Sequence, residues 1–323
     1  MTFNRRMIMA GAGALAVAPA LGIADMRPAA AAAIAQAPGI YRMKLGSFTV
    51  TAITDGLFNL PLQPSFIPNA VPAEIDKALE DAFLPKGNLP IPFTPLLVET
   101  GSKRILIDTG YGQSGPPSAG QLTANLKAAG VDPGAIDIVV ISHFHPDHIS
   151  GLRGKDGALT FPNAEIHVPA AEWDYWTDAG NAGKAPEGLK GTFAATERVF
   201  GPNKADIKRF AADSEVVTGI HAFAAYGHTP GHSILALESD GQKLMYLADV
   251  TNNPLLFARH PDWSPLFDQD AGMARATRHR ILDMVSSERA LVAGYHYVFP
   301  AVGHIFKTAA GYDVAPVVWN PTL

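Results

Sequence analysis

The sequence predicts an α/β protein in which mixed β-sheets form a sandwich with helices packed against it. Three observations point there. Strand-length apolar runs such as "IDIVVIS" (136–142) read as strands buried on both faces. Alternating apolar and polar stretches that break at Gly or Asp-Gly read as strands or hairpins. Segments with apolar residues at helical spacing lie between them, so the strands are joined partly by hairpins and partly by helices.

The elements follow in order. Residues 1–36 read as an export signal: Arg5 and Arg6 precede the apolar run "MIMAGAGALAVAPALGIA", which is too short and too rich in Ala and Gly for a membrane span, and small residues follow. The Arg pair has the form of a twin-arginine signal, so the expected location is the bacterial periplasm or beyond. Residues 37–323 would then form one domain. "YRMKLGSFTVTAITDGLFNLPL" is a strand or hairpin broken at Asp55-Gly56, and "PFTPLLVETGSKRILIDTG" gives two more strands around Gly101-Ser102. Leu122, Leu126 and Ala129 place a helix between Ser118 and Gly130. After "IDIVVIS" come a strand at "AEIHVP" and a helix from near Pro169 carrying Trp173, Tyr175 and Trp176. Residues 180–205, rich in Gly, Lys and Pro, read as a mobile excursion. Strands follow at "GIHAFAAYGH" and "SILALESDGQKLMYLAD", then a helix over about 270–288 and a strand at "ALVAGYH".

Composition narrows the chemistry. The 323 residues are 47% hydrophobic and 17% charged, with a net charge of −5 and no basic block, which argues against nucleic acid as partner. The chain has no cysteine, so any metal must sit among imidazoles and carboxylates. Such donors suit Zn, Fe, Mn or Co and by themselves select none of them; the expected ion is Zn, with Mn, Co, Fe or Cd as alternatives.

The ligand-type residues gather at strand ends. His143, His145, Asp147 and His148 follow "IDIVVIS", His228 ends "HAFAAYGH", Asp249 ends "KLMYLAD" and His296 ends "ALVAGYH". Strand ends are where rigid elements aim loop residues at a common edge. In an extended stretch His143 and His145 point the same way and can reach one metal, while Asp147 and His148, past Pro146, can turn to a second. His167, His221, His260 and His279 lack a partner pattern and read as structural or surface residues.

"HFHPDH", "GHTPGHS", "YLAD" and the late "YH" together resemble the metallo-β-lactamase superfamily. "GIYRMKLGSFTVTAITDG", "LIDTG", "FPNAEIHV" and "FPAVGHI" bring the chain nearest to methyl parathion hydrolase and its lactonase-like relatives. The resemblance implies an αβ/βα four-layer sandwich with two mixed β-sheets, two divalent metal ions per chain with a hydroxide between them, and a homodimer. It assigns His143, His145 and His228 to one ion, Asp147, His148 and His296 to the other, and Asp249 to both. Asp147 and Asp249 would also take part in the chemistry, Asp147 by orienting the hydroxide or relaying a proton. Two departures stand out: Ser150 in D-H-I-S-G and Ala301 in "FPAVGH" both replace a glycine of the relatives.

The expected reaction is hydrolysis of an ester-like bond in a small, neutral, hydrophobic substrate: a phosphotriester, a lactone or an aryl ester. A mononuclear-iron dioxygenase acting on persulfides, known in the same superfamily, is the alternative. His304 competes with His296 as a ligand, and His232 reads as a hydrogen-bonding neighbour. Asp108 and Asp55, at strand ends, are candidates to hold ligand histidines through their second nitrogen, against an ordinary turn role. Trp173, Tyr175 and Trp176, with Phe144, Phe193 and Phe58, are the candidates for an aromatic substrate pocket, Trp176 foremost by the family resemblance, with packing in the core as the competing reading.

Overall fold

A computed structural model describes residues 36–323, of which Pro38–Leu323 form one compact unit. All but the last residue of the expected export signal lies outside the described residues. The first half runs β1 (Ile40–Leu45), β2 (Phe48–Ile53), β3 (Gly56–Pro61), α1 (Pro72–Asp81), β4 (Asn88–Phe93), β5 (Leu96–Glu99), β6 (Arg104–Ile107), α2 (Leu122–Ala128), β7 (Ile138–Val140), α3 (Pro146–Ile149), β8 (Glu165–Pro169), α4 (Ala170–Trp176), α5 (Ala179–Lys184), α6 (Glu187–Phe200) and β9 (Ile207–Phe210). The second half runs β10 (Ser214–Val217), β11 (Ile220–Ala224), β12 (Ser233–Ser239), β13 (Gln242–Tyr246), α7 (Pro254–Phe257), α8 (Ala271–Ser287), β14 (Leu291–Ala293), β15 (Val302–Lys307) and β16 (Tyr312–Pro316).

Two seven-stranded sheets result, in the orders β1-β2-β5-β6-β7-β8-β9 and β10 through β16. Both are mixed: β6, β7, β8 and β9 run parallel, as do β13 and β14, and the remaining neighbours are antiparallel. The period-two alternation of each strand sorts its side chains between layers. Val98, Ile105, Ile107, Leu235, Leu237 and Leu244 meet in a core between the sheets. Their neighbours Leu97 and Leu106 turn outward onto α2 and α6. Ala236 and Met245 turn the other way onto Ile281, Leu282 and Val285 of α8. Helix, sheet, sheet and helix are thus four layers, the αβ/βα sandwich of the metallo-β-lactamase fold.

Local chemistry sets the element ends. Asp270 caps α8, its carboxylate accepting from Met273 N at 2.9 Å. The turn between β1 and β2 falls at Gly46, which has φ +58 and lies against the Ser239 backbone with no room for a Cβ. β3 pairs with β4 in a separate two-stranded sheet.

Several expectations are corrected. Residues 180–205 hold the helices α5 and α6 and not a loose excursion. Thr192, Phe193, Thr196, Val199 and Phe200 recur at helical spacing and bury one face, a signal masked by Gly183, Gly188, Gly191 and the lysines. The helix expected from Ser118 to Gly130 is shorter, Leu122–Ala128. Helix α1 and strands β15 and β16 were not foreseen.

Candidate metal centre

Four strand ends converge on one edge of the sandwich. Strand β7 hands the chain through Ile141 and Ser142 to His143 and His145, and Pro146 then opens α3 with Asp147 and His148 in its first turn. Proline suits that position, because its missing N–H would go unbonded there anyway. His228 lies in the loop from β11 to β12, Asp249 follows β13 and His296 follows β14. Asp249 is flanked by Ala248 at φ +44 and Asn252 at φ +45. Left-handed backbone at non-glycine residues costs energy and clusters at sites where geometry matters.

The donor atoms form two groups, each within 4.8 Å: His143, His145, His228 and Asp249, and Asp147, His148 and His296. In the first, His145 Nδ1 lies 3.1 Å from His143 Nε2 and 2.9 Å from His228 Nε2. Asp249 Oδ2 lies 3.3 Å from His228 Nε2 and 3.9 Å from His143 Nε2. In the second, Asp147 Oδ2 is 3.5 Å from both His148 Nε2 and His296 Nε2. Asp249 reaches this group too, with Oδ1 3.2 Å from His148 Nε2 and Oδ2 3.0 Å from His296 Nε2. Ligand atoms at about 2.0–2.1 Å from a tetrahedral Zn stand about 3.3 Å apart. The observed separations scatter around that edge length, so both groups fit an ion. His148 Nε2 and Asp249 Oδ1 are also buried without a hydrogen-bond partner, as donors aimed at a cation would be.

The outer nitrogens are held in place. His148 Nδ1 donates to Asp108 at 2.8 Å, and Asp108 is itself held by Ser142 N, Ser142 Oγ and Tyr246 OH. His228 Nδ1 donates to Asp268 at 2.9 Å, whose other oxygen accepts from the buried Arg278 at 3.0 Å. His296 Nδ1 donates to Pro92 O at 2.8 Å. Each bond fixes a tautomer and turns the inner nitrogen's lone pair towards the site. His232 stands behind the group, donating from Nδ1 to Ala225 O and accepting Asp249 N–H at Nε2.

Charge follows from this packing. Burial, with neighbouring imidazoles, holds His143 and His145 well below the ordinary histidine pKa, so both are neutral donors. Burial also opposes charge on His148, but Asp249, Asp147 and Asp108 lift it well above that range. For His228 the same burial is overcome by Asp249 and Asp268, which carry it to about 9. Burial would raise Asp249, yet His296 and His148 hold it well below the carboxylate range.

The groups lie at the floor of a cleft of about 990 Å³, reached by His145, Asp147, Asp249 and His296 and walled by Phe58, Leu60, Tyr111, Tyr175, Leu266 and Phe267. Of the expected pocket aromatics Phe58 and Tyr175 are on this wall. Trp176, Phe144 and Phe193 lie in the outer core instead. Phe144 stacks on Phe200 at 4.7 Å, because successive residues of an extended stretch point to opposite sides and His143 and His145 take the site side. Trp176 and Phe193 pack on each other where α4 meets α6. Asp55 is likewise displaced from its expected role: it is buried and accepts from the N–H groups of Tyr111, Gly120 and Leu122, holding the loop under the cleft and no histidine. His304 lies in β15 and bonds Ala290 O. Asp268, Tyr111, Leu266 and Phe267 had no periodicity or motif to mark them in the sequence.

The metallo-beta-lactamase superfamily profile matches residues 94–296. An N-acyl homoserine lactonase of Bacillus cereus is 28% identical over 239 residues, 68% of this chain and 86% of the relative. Among solved structures, AidC, a dizinc quorum-quenching lactonase in complex with a product, N-hexnoyl-L-homoserine, is 29% identical with a TM-score of 0.82, covering 88% of this chain and 99% of that one. The hydrolase AbOPH, of the beta lactamase superfamily, is 26% identical with a TM-score of 0.83, covering 88% and 100%. With a profile spanning 94–296 and seven histidine and aspartate donors from both sheets gathered at one edge of the sandwich, the chain belongs to the metallo-beta-lactamase superfamily and is a metal-dependent hydrolase.

Proposed function

We propose that the protein hydrolyses a small, neutral, hydrophobic ester-like substrate, a lactone before an aryl ester or a phosphotriester, with two divalent metal ions, Zn foremost. One observation carries the reading: two donor groups of tetrahedral spacing share Asp249 at the floor of an apolar cleft. His143, His145 and His228 with Asp249 would hold one ion, and Asp147, His148 and His296 with Asp249 the other. Divalent ions held by these residues would supply Lewis-acid activation of the substrate oxygen and an acidified water. Asp249 spans both groups with its two carboxylate oxygens. Asp147, whose side chain is 13% exposed on the cleft side, can hold or pass a proton at Oδ2. The walls exclude water and favour an uncharged substrate with an apolar chain, and nothing in them offers a cationic clamp for an anion. The lactonase relatives support the order of substrates.

The test is metal analysis of the mature protein, with assays on an acyl-homoserine lactone, an aryl ester and a phosphotriester. About two ions per chain and turnover of at least one substrate are expected. One iron per chain with no hydrolysis would favour the mononuclear-iron dioxygenase, a reading that leaves Asp147, His148 and their partners without a purpose. Export and homodimer formation are part of the proposal, resting on Arg5 and Arg6 and on the family resemblance. Cell fractionation of an Arg5→Lys/Arg6→Lys variant and sedimentation of the wild type address them.

A further inference from the structure

We infer that Glu172 is a positioning residue for the first donor group, fastening the loop that bears His143 and His145 to the loop that bears His228. The inference rests on the two-ion reading above. Glu172 sits in α4 and is fully buried. Its Oε2 accepts from Phe144 N, the amide between His143 and His145, at 2.8 Å. Its Oε1 accepts from Gly231 N, three residues beyond His228, at 2.6 Å. The indole Nε1 of Trp176, one helical turn on, donates to Oε2 at 2.9 Å.

These contacts cross the molecule. The first loop leaves β7 of one sheet, and the second joins β11 to β12 of the other. A single carboxylate therefore ties the two sheets together directly behind the three imidazoles. Among the described residues it takes part in no salt bridge, and a buried carboxylate without a counter-charge persists only where hydrogen bonds are aimed at it. The fit is close on the far side as well: a Cβ on Gly231 would run into the Glu172 and Ala171 backbone. Gly231 thus serves close approach, and its chemistry belongs with Glu172.

The residue type follows from its partners. All three are N–H donors, so both oxygens must accept. Glutamine has the same shape but would turn an amide N–H₂ towards one of those donors. Aspartate still accepts, yet is one methylene too short to span Phe144 and Gly231 together.

The experiment loads wild type, Glu172→Gln and Glu172→Asp with ¹¹³Cd and records the metal NMR spectrum with metal affinity. The first group offers three nitrogens and a carboxylate, and the second two nitrogens and carboxylates, so wild type should give separate resonances for them. Glu172→Gln should lose or broaden the first group's resonance, weaken that ion about 10–100-fold, as loss of an outer-sphere partner does, and leave the second in place. Glu172→Asp should be intermediate. Unchanged resonances and affinity in Glu172→Gln would overturn the role. So would parallel loss of both ions, or of the fold in both variants, since either makes Glu172 a general structural anchor. A wild-type spectrum without two resonances would instead overturn the two-ion reading, and this role with it.

Discussion

His148 and His228 face opposite demands in the free and the metal-loaded protein. Without a cation, the carboxylates around them, Asp249 above all, raise both above neutrality, His228 to about 9. A bound ion needs the unprotonated nitrogen. Because their pKa values are raised, both hold a proton at pH 7, and metal uptake must expel it. Metal affinity should therefore rise with pH by about tenfold per unit for each proton displaced, the share from His228 ending at about pH 9. His143 and His145, pushed down by burial, contribute nothing to that slope above pH 7. Calorimetry of Zn binding in buffers of different ionisation enthalpy would count the protons. Release of none between pH 7 and 8 would show that His148 and His228 are already neutral and that the carboxylates are not acting on them as described.

At the scale of elements, the loop before α8 has two tasks. Its Asp268 holds His228, while Leu266 and Phe267, 64% and 40% exposed, rim the cleft. Phe267 leans edge-on against Phe66 at 5.2 Å, which fixes its direction. Covering such side chains with a substrate's apolar tail is worth about 1–2 kcal/mol together, or roughly 5–30-fold in affinity. A Leu266→Ser/Phe267→Ser variant should raise KM by that factor for long-chain lactones or esters, with kcat and short-chain KM unchanged. A uniform loss over chain length would place the tail elsewhere. This loop also marks where sequence reading stopped. His143 to His148, His228, Asp249 and His296 were legible because ligand-type residues are uncommon and each stood at the end of a strand readable from its period. Leu266, Phe267 and Asp268 lie in irregular chain, where no period says which side chain faces what. Glu172 was hidden for another reason, since an acidic residue in a helix ordinarily faces solvent. Proximity misleads for Phe144, which lies between two site histidines while alternation sends it into the core; Trp176, expected on the cleft from the family resemblance, packs in that core too.

For the whole molecule, the seven donors come from both sheets, so the two halves of the sandwich meet at the site as well as across the apolar core. The inter-sheet core of Val98, Ile107, Leu235 and Leu244 holds the halves together by apolar burial without any ion. At the open edge the balance differs, because Asp147 and Asp249 crowd four imidazoles with little solvent, and His148 Nε2 and Asp249 Oδ1 have no partner. Ions that bind only the folded chain should stabilise it by about 3–4 kcal/mol per site at free metal 100–1,000 times Kd. At roughly 2 °C per kcal/mol for a chain this long, removing both ions by chelation should lower Tm by roughly 12–16 °C. Restoring Zn should reverse the shift, and it should saturate at two ions per chain. The competing possibility is that the histidine–aspartate contacts satisfy one another as ion pairs, in which case the fold loses nothing with the metal. Scanning calorimetry separates the two. A Tm indifferent to chelator would mean that the cluster is a self-contained polar network, and that the sandwich closes this edge without metal.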